Sequence, residues 1–159
     1  MGWIKINVDG VANGNPRSVG CGGLARNHMG LLVSAVALPQ GTQSNHFAEA
    51  NATHIGLHMA KREGFCKVWL ECALLNTINC LNGCTDPRWT IATLIKDCRD
   101  IINELKKFKI LHVFREGNKA TDLQANMVVG YVAAKWWSSR DSLPKNLWEL
   151  ACDDSTQFQ

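Results

Sequence analysis

Hydrophobic and polar residues alternate at the start of the chain. In WIKINVDGVA, residues 3–12, the apolar side chains of Ile4, Ile6 and Val8 are separated by Lys5 and Asn7, and this period of two is typical of a β-strand. Two further apolar segments, SVGCGGLARN and GLLVSAVALP, are joined across a short stretch that contains glycine. Such a pair indicates a hairpin, so residues 3–39 are predicted to form a three-stranded meander.

The spacing of apolar residues then changes to that of helices. From Ser44 to about Glu63 the apolar positions fall near one stripe, Ser44 is placed to cap the first turn, and Gly64 follows as a stop signal. Residues 74–82, 90–108 and 121–137 are predicted to form three further helices, and the segments KVWLE and KILHVFRE two short strands.

This order of elements predicts an α/β fold. Three consecutive strands followed by alternating helices and strands imply a five-stranded mixed sheet, in which an antiparallel meander continues into parallel strands, with helices on both faces. Residues 1–137 are assigned to this domain. Residues 138–159 are polar apart from one short amphipathic turn, and we expect them to form a loosely docked or disordered C-terminal tail.

Composition limits the class of protein without identifying a partner. The chain has 159 residues, of which 46% are hydrophobic and 19% charged, and a formal net charge of +3, which is the balance of a folded globular domain. Seven cysteines, an odd number, and no apparent signal peptide predict reduced thiols in a cytoplasmic or nuclear protein. No apolar run approaches the roughly 18 residues of a membrane-spanning helix, so no membrane partner is expected.

Three acidic residues occupy positions that functional sites favour in such a sheet. Asp9 interrupts the first strand, Glu49 lies one turn past the predicted helix cap, and Asp122 begins the last helix. Each has a simple structural explanation, as a turn residue, an exposed helix glutamate and a helix-capping carboxylate respectively. Together they indicate a shared site, because ligands in such sheets gather where strands end.

The segments around these residues resemble ribonuclease H. The opening of that family is similar to NVDGVANGNPRSVGCGGLARNHMG, and its first helix is similar to SNHFAEANA. The stretch that contains ESDS in plant members is similar to KVWLECALLNTINCLNG. HVFREGNKATDLQAN is similar to HVPREANRVADALA of the plant members. The resemblance covers residues 3 to about 135, and it is to the plant ribonuclease H-like family related to retrotransposon ribonuclease H domains.

The resemblance implies a metal-dependent nuclease. Family members cleave the RNA strand of an RNA/DNA hybrid with two Mg²⁺ ions held by four carboxylates, and Mn²⁺ is expected to substitute. A pair of hard divalent ions requires clustered carboxylate oxygens. By resemblance, Asp9 bridges both ions and Asp122 holds the ion that activates water. Glu49 holds the other ion and lies near a ribose 2′-hydroxyl, the group that distinguishes RNA from DNA.

The fourth carboxylate of the family falls at Ala73, whose methyl group donates no oxygen. We therefore expect the catalytic activity of this sequence to be abolished or impaired. Glu71 is not an obvious substitute, because it lies about 7 Å back along the strand. Two explanations stay open: a substitution introduced to silence an active enzyme, which the intact Asp9, Glu49 and Asp122 favour, and a natural pseudoenzyme.

Other matched positions concern the grip on the substrate. The predicted substrate-binding residues are Asn15, Arg26, Ser44, Asn45 and His112. By resemblance the two asparagines contact the sugar-phosphate backbone and Arg26 lies near a phosphate-binding pocket, although turn asparagines and a surface arginine are equally good explanations. His112 lies on the strand, whereas bacterial relatives carry a histidine in the loop that follows. No basic handle helix is apparent, so affinity is expected to come from other parts of the assembly or from Lys106, Lys107, Lys109 and Lys119.

The class of duplex and the presence of catalysis are both left open by the sequence. An RNA/DNA hybrid and double-stranded RNA both present the 2′-hydroxyl contacts. The main alternative is a catalytically silent module that binds duplex nucleic acid, and it predicts binding that weakens with salt and is indifferent to Mg²⁺. A third hypothesis is a protein-interaction domain with Leu147, Trp148 and Leu150 as its contact surface.

Overall fold

A computed structural model describes residues 2–13, 18–114, 133–138, 144, 145 and 149 of the chain. The strands in this part of the chain are β1 (Ile4–Asn13), β2 (Ser18–Arg26), β3 (Leu32–Thr42), β4 (Lys67–Cys72), β5 (Lys107–His112) and β6 (Lys135–Trp137). The helices are α1 (Asn45–Arg62), α2 (Leu75–Leu81) and α3 (Ala92–Glu104). None of the helices in the described ranges is long and apolar enough to cross a membrane.

The strands form one mixed sheet in the order β5-β4-β1-β2-β3-β6. Antiparallel pairing joins β1 to β2 and β2 to β3, which confirms the predicted meander, whereas β4 runs parallel to both β1 and β5. The hairpin turns at residues 27–31, where Gly30 has a φ of 76°, a conformation that suits glycine. This topology places β1 at the centre of the sheet, flanked by β2 and β4.

Helix α1 packs against the face of the sheet that carries Ile6, Val8 and Leu70. Its first turn is capped as predicted, because the Ser44 side chain accepts a hydrogen bond of 3.2 Å from the backbone N–H of Phe47. Gly64 has a φ of 71° just after the helix, which explains why the helix stops there. Buried residues of α3 join the same core, so α1 and α3 lie on one face.

The end of the domain differs from the prediction. Lys135–Trp137 was predicted to end a helix, but it forms β6 and pairs with β3, with Ala35 opposite Trp137 and Val36 opposite Trp136. The sheet therefore has six strands rather than five. The two tryptophans point to opposite faces, as neighbouring residues of a strand must: Trp136 packs on the main core and Trp137 packs beside Leu24. The predicted final helix spans residues 121–137, of which residues 121–132 lie outside the described residues, so a helix on the second face stays a prediction.

Candidate active site

The register of β1 and β4 brings Asp9 and Ala73 side by side. Asn7 lies opposite Glu71 and Val8 opposite Cys72, so the next pair along the two parallel strands is Asp9 and Ala73. β1 continues to Asn13, whereas β4 ends at Cys72. Ala73 is therefore the first residue beyond a parallel strand, in the position where such sheets place functional groups.

Gly10 allows helix α1 to approach β1 at this point. A Cβ atom on Gly10 would lie 2.5 Å from the carbonyl carbon and oxygen of Ala48 and 2.7 Å from the backbone nitrogen of Glu49. These distances are shorter than any normal van der Waals contact, so the close approach requires glycine. The consequence is that Glu49, on the helix, is brought beside Asp9, on the strand. Gly10 was not among the residues predicted for the site.

The two carboxylates and Ala73 line one shallow crevice. Its other lining residues are Val8, Gly10, Ala52, Cys72 and Leu74. Asp9 is 5% exposed and Glu49 8% exposed, so both acidic side chains are held largely away from solvent. Burial raises the pKa of the Cys72 thiol to about 11, and the negative charges of Asp9 and Glu49 contribute to the rise. The crevice thus places two acidic side chains beside one buried thiol.

The donor set of the crevice suits a hard cation. Carboxylate oxygens are the ligands that Mg²⁺ prefers, and two buried carboxylates at one place repel each other unless positive charge lies between or beside them. Asp122, the third predicted ligand, lies outside the described residues. Within the described ranges, no three groups of the metal-binding types lie close enough together to hold an ion. Asp9 and Glu49 are therefore ligands of the chemical type that Mg²⁺ requires, and they are the two such ligands of the crevice among the described residues.

Glu71 does not take the place of the missing ligand. Its carboxylate accepts a hydrogen bond of 2.8 Å from the side-chain amide of Asn7 and forms an ion pair of 2.9 Å with Lys5. Both partners lie on β1 before Asp9, so the Glu71 carboxylate is held back along the strands, as predicted. This network links β1 to β4 two residues before the crevice.

Four of the five predicted substrate-binding residues are described. Ser44 caps α1 and Asn45 is exposed at the first position of that helix, one turn before Glu49. The exposed His112 ring contacts the backbone oxygen of Ala73 through Nε2, at 3.1 Å, which places it at the edge of the crevice. Contact of these residues with substrate stays a prediction.

Arg26 is buried, whereas one of the two explanations considered for it was an exposed surface arginine. The residue is only 3% exposed, and its guanidinium donates a hydrogen bond of 3.2 Å to the Asn7 side chain. The arginine thus belongs to the network of Asn7 and Glu71, and this burial does not favour the predicted contact with a phosphate. Asn15 lies outside the described residues.

Comparison with known proteins shows similarity over most of the chain. A sequence profile of the family described as reverse transcriptase-like matches residues 7–128. A protein of Arabidopsis thaliana, provisionally named a ribonuclease H protein, is 26% identical over 155 residues, which are 98% of this chain and 25% of that protein. The chain therefore spans about a quarter of the length of this curated relative.

Solved structures share the fold. Ribonuclease H1 of the halophilic archaeon Halobacterium salinarum has a TM-score of 0.75 at 24% identity, over 80% of this chain and 98% of that one. LC11 ribonuclease H1, isolated from compost and crystallised in complex with an RNA/DNA hybrid, has a TM-score of 0.73 at 22% identity, over 79% of this chain and 96% of that one. At these identities the likeness concerns the fold alone.

Proposed function

Because the chain belongs to the reverse transcriptase-like family and has the fold of ribonuclease H, we propose that it is a ribonuclease H-type nuclease domain. Its substrate is an RNA-containing duplex, and the RNA/DNA hybrid is the first choice because the structurally similar LC11 enzyme was crystallised with one. In this sequence the nuclease activity is impaired, because Ala73 stands where the family places a metal-binding aspartate.

The observation that carries the proposal is the convergence of Asp9, Glu49 and position 73 on one crevice. These three positions are distant in sequence, and they come together through the register of β1 with β4 and the approach of α1 at Gly10. A shared site for divalent ions requires such convergence. An ordinary helix glutamate and a turn aspartate, the simple explanations for Glu49 and Asp9, would be exposed and apart.

Asp9, Glu49 and Asp122 would hold Mg²⁺, with Mn²⁺ as a substitute. When bound, a pair of such ions activates the attacking water and stabilises the leaving oxygen of the phosphodiester. Asp9 follows Val8 in the register that leads to position 73 on β4, and its neighbour Gly10 contacts α1 at Glu49, so Asp9 would hold ions together with the ligands of both elements. Glu49 is on the first turns of α1 close to the exposed Asn45, and this end of the helix is suited to contact a ribose 2′-hydroxyl.

The test restores the missing carboxylate. Wild type, Ala73→Asp and Ala73→Asn are incubated in Mg²⁺ or Mn²⁺ with labelled RNA/DNA hybrid, double-stranded RNA and double-stranded DNA, and cleavage is followed on denaturing gels. We expect Ala73→Asp to cleave the hybrid at least roughly a hundredfold faster than wild type, the scale of losing one group that stabilises transition-state charge. Ala73→Asn is the matched control, since it restores the size of the side chain without its charge.

A second control identifies the site. Adding Glu49→Gln to Ala73→Asp should remove the restored activity, because the amide cannot supply a negative oxygen to the ions. If Ala73→Asp cleaves neither hybrid nor double-stranded RNA with either metal, the proposal of a silenced nuclease is wrong. Cleavage of double-stranded RNA in preference to the hybrid would keep the nuclease and change its substrate.

A silent duplex-binding module is the second candidate, and Ala73 itself is the observation that favours it. In that case the wild-type chain binds labelled duplex with an affinity that falls with salt and does not change between EDTA and Mg²⁺. Fluorescence anisotropy with both duplexes distinguishes the candidates. Metal-independent binding together with an inactive Ala73→Asp variant would replace the nuclease by this module.

A further inference from the structure

Tryptophan and lysine side chains lie in one row across three neighbouring strands. The pairing of β1 with β4 puts Lys5 opposite Trp69, and the pairing of β4 with β5 puts Trp69 opposite Lys109. Trp3 precedes β1 and extends the row. We name these four residues, Trp3, Lys5, Trp69 and Lys109, the tryptophan–lysine surface. None of them contributes to the crevice of Asp9 and Glu49.

The ammonium groups of this surface lie on indole rings. Lys109 Nζ is 3.3 Å from the centre of the Trp69 ring and 5.5 Å from that of Trp3, and Lys5 Nζ is 5.4 Å from the Trp69 ring. Such contacts hold the lysines in place. Lys109 keeps its charge at the surface, whereas Lys5 is partly buried and paired with Glu71. Trp3 is 36% exposed and Lys109 is exposed as well. Together with Asn27 and His28, the four residues line a groove of about 250 Å³.

The charge around the groove is positive. Lys67 and Lys107 lie opposite each other two residues before Trp69 and Lys109, so the alternation of strands places them on the same face. Glu71, the acidic residue on this face of β4, already forms an ion pair with Lys5. An aromatic surface with fixed positive charges is complementary to single-stranded nucleic acid, whose bases stack on indole rings while its phosphates contact lysines.

The tryptophan–lysine surface lies on the same strands as the candidate active site. Lys5 and Asp9 are four residues apart on β1, and Trp69 and Ala73 are four residues apart along β4. At about 3.3 Å per residue, the surface and the crevice are separated by about 13 Å, which is the length of about four base steps of a duplex.

We propose that the tryptophan–lysine surface binds a single-stranded extension of the polynucleotide whose duplex part occupies the crevice. This inference rests on the proposed function for the identity of the duplex, but the binding itself requires neither cleavage nor metal. The surface then supplies the substrate grip that a basic handle helix gives to other members of the fold.

The test measures binding in EDTA, so that cleavage does not enter. The full chain is titrated with labelled single-stranded RNA, a blunt hybrid, and hybrids with a 5′ or 3′ RNA extension, at several salt concentrations. Trp3→Ala and Lys109→Ala should each weaken binding of single-stranded RNA at least about fivefold, the lower end for loss of one stacked base, whereas Trp3→Phe retains it. Lys107→Ala should reduce the slope of log affinity against log salt by about 0.7, the value for one phosphate of a single strand.

The control is Lys96→Ala, an exposed lysine of α3 paired with Asp100, on the helix that packs on the opposite face of the sheet. It should bind every ligand as wild type does. Circular dichroism confirms that each variant is folded. Where Trp3→Ala or Lys109→Ala unfolds, Lys107→Ala keeps the inference testable, because its salt slope still reports the loss of one phosphate contact.

Three results would overturn the inference. The first is that wild type binds single-stranded RNA no better than Lys109→Ala does. The second is that the variants lose as much affinity for the blunt hybrid as for the extended hybrids. The third is that neither extension improves binding over the blunt hybrid. These results are independent of cleavage by Ala73→Asp, so failure of the binding surface and failure of the nuclease proposal are distinguishable.

Discussion

Replacing Gly10 by alanine tests whether the contact between β1 and α1 forms the site. The backbone of Gly10 does not have a positive φ, so alanine can adopt it, and the added methyl acts through space alone. That methyl would lie 2.5 Å from the carbonyl group of Ala48 and 2.7 Å from the Glu49 nitrogen. Because these are backbone atoms of a long helix, no side-chain rotation relieves the clash, and α1 must move away from β1.

The magnitude follows from the balance of two effects. Forcing a methylene-sized group into a packed interior costs about 1–3 kcal/mol, and replacing glycine by alanine returns about 0.5 kcal/mol by restricting the unfolded chain. We expect Gly10→Ala to reduce the free energy of unfolding by about 0.5–2.5 kcal/mol, which lowers the Tm by about 1 to 10 °C for a domain of this size. The displaced helix should also separate Glu49 from Asp9 and weaken binding of Mg²⁺.

The matched control is Gly23→Ala on β2. A Cβ there would meet only side-chain carbons, 3.3 Å from Val36 and 3.6 Å from Met59 and Val8, which small rotations accommodate. Urea denaturation and differential scanning calorimetry of both variants give the comparison. If Gly10→Ala is as stable as wild type, or loses no more than Gly23→Ala, then the close approach of β1 and α1 does not hold the two carboxylates together.

Two further predictions concern the helix cap and the buried thiols. Ser44→Ala should lower the free energy of unfolding by about 1 kcal/mol in urea denaturation, because the N–H of the first turn loses its acceptor, and Ser44→Asp should restore it; equal stability of the alanine variant would contradict the cap. Burial raises the pKa of Cys21 and Cys98 to about 12 and that of Cys72 to about 11, so the folded state keeps protons that the unfolded thiols lose from about pH 9. The stability that these thiols contribute is therefore fully present below pH 9 and should fall as the pH rises toward 11 to 12. A pH series of urea midpoints that stays flat above pH 9 would contradict this. At pH 8 the exposed Cys84 should react with iodoacetamide long before these three thiols.

Most of the fold follows from local patterns in the sequence. The meander, α1 with its Ser44 cap, and the parallel strands were predicted because period, cap and stop signals are properties of neighbouring residues. β6 was not predicted, because it depends on residues that are distant in the sequence. Its three residues continue an apolar segment of helical spacing, and only their pairing with the distant β3 makes them a strand. The outcome depends on a contact across about a hundred residues, which local spacing cannot encode.

The candidate site likewise contains residues that could be predicted from the sequence and residues that could not. Asp9, Glu49 and Ala73 were predicted together, because residues at strand ends and the resemblance to ribonuclease H pointed to them. The part played by Gly10 was not predicted, since it depends on how closely two elements pack. Arg26 was predicted to lie near a phosphate-binding pocket, with a surface arginine as the alternative, and its burial was not predicted because arginine is almost never fully buried unless it is paired. Its burial is compensated by Asn7, which in turn is held by Glu71 on the neighbouring strand, and this arrangement exists only in the folded sheet.

The backbone at position 73 is held independently of its side chain, and this decides what Ala73→Asp will do. The pairing of Val8 with Cys72, the link from Asn7 to Glu71 and the contact of His112 with the Ala73 oxygen fix the end of β4. A restored aspartate therefore adds a third negative charge to a crevice that already holds two buried carboxylates. Without metal this charge repels its neighbours and should lower the Tm below that of wild type.

Added Mg²⁺ should reverse this loss, since an ion that binds the folded state alone stabilises it by RT ln(1 + [Mg²⁺]/Kd). The rise in Tm between EDTA and Mg²⁺ should thus be larger for Ala73→Asp than for wild type, with Ala73→Asn resembling wild type. An equal rise in all three proteins would mean that the ion does not bind at position 73. That result would count against the metal site even if some cleavage were detected, because the stability change reports on the ion and the crevice without requiring a substrate.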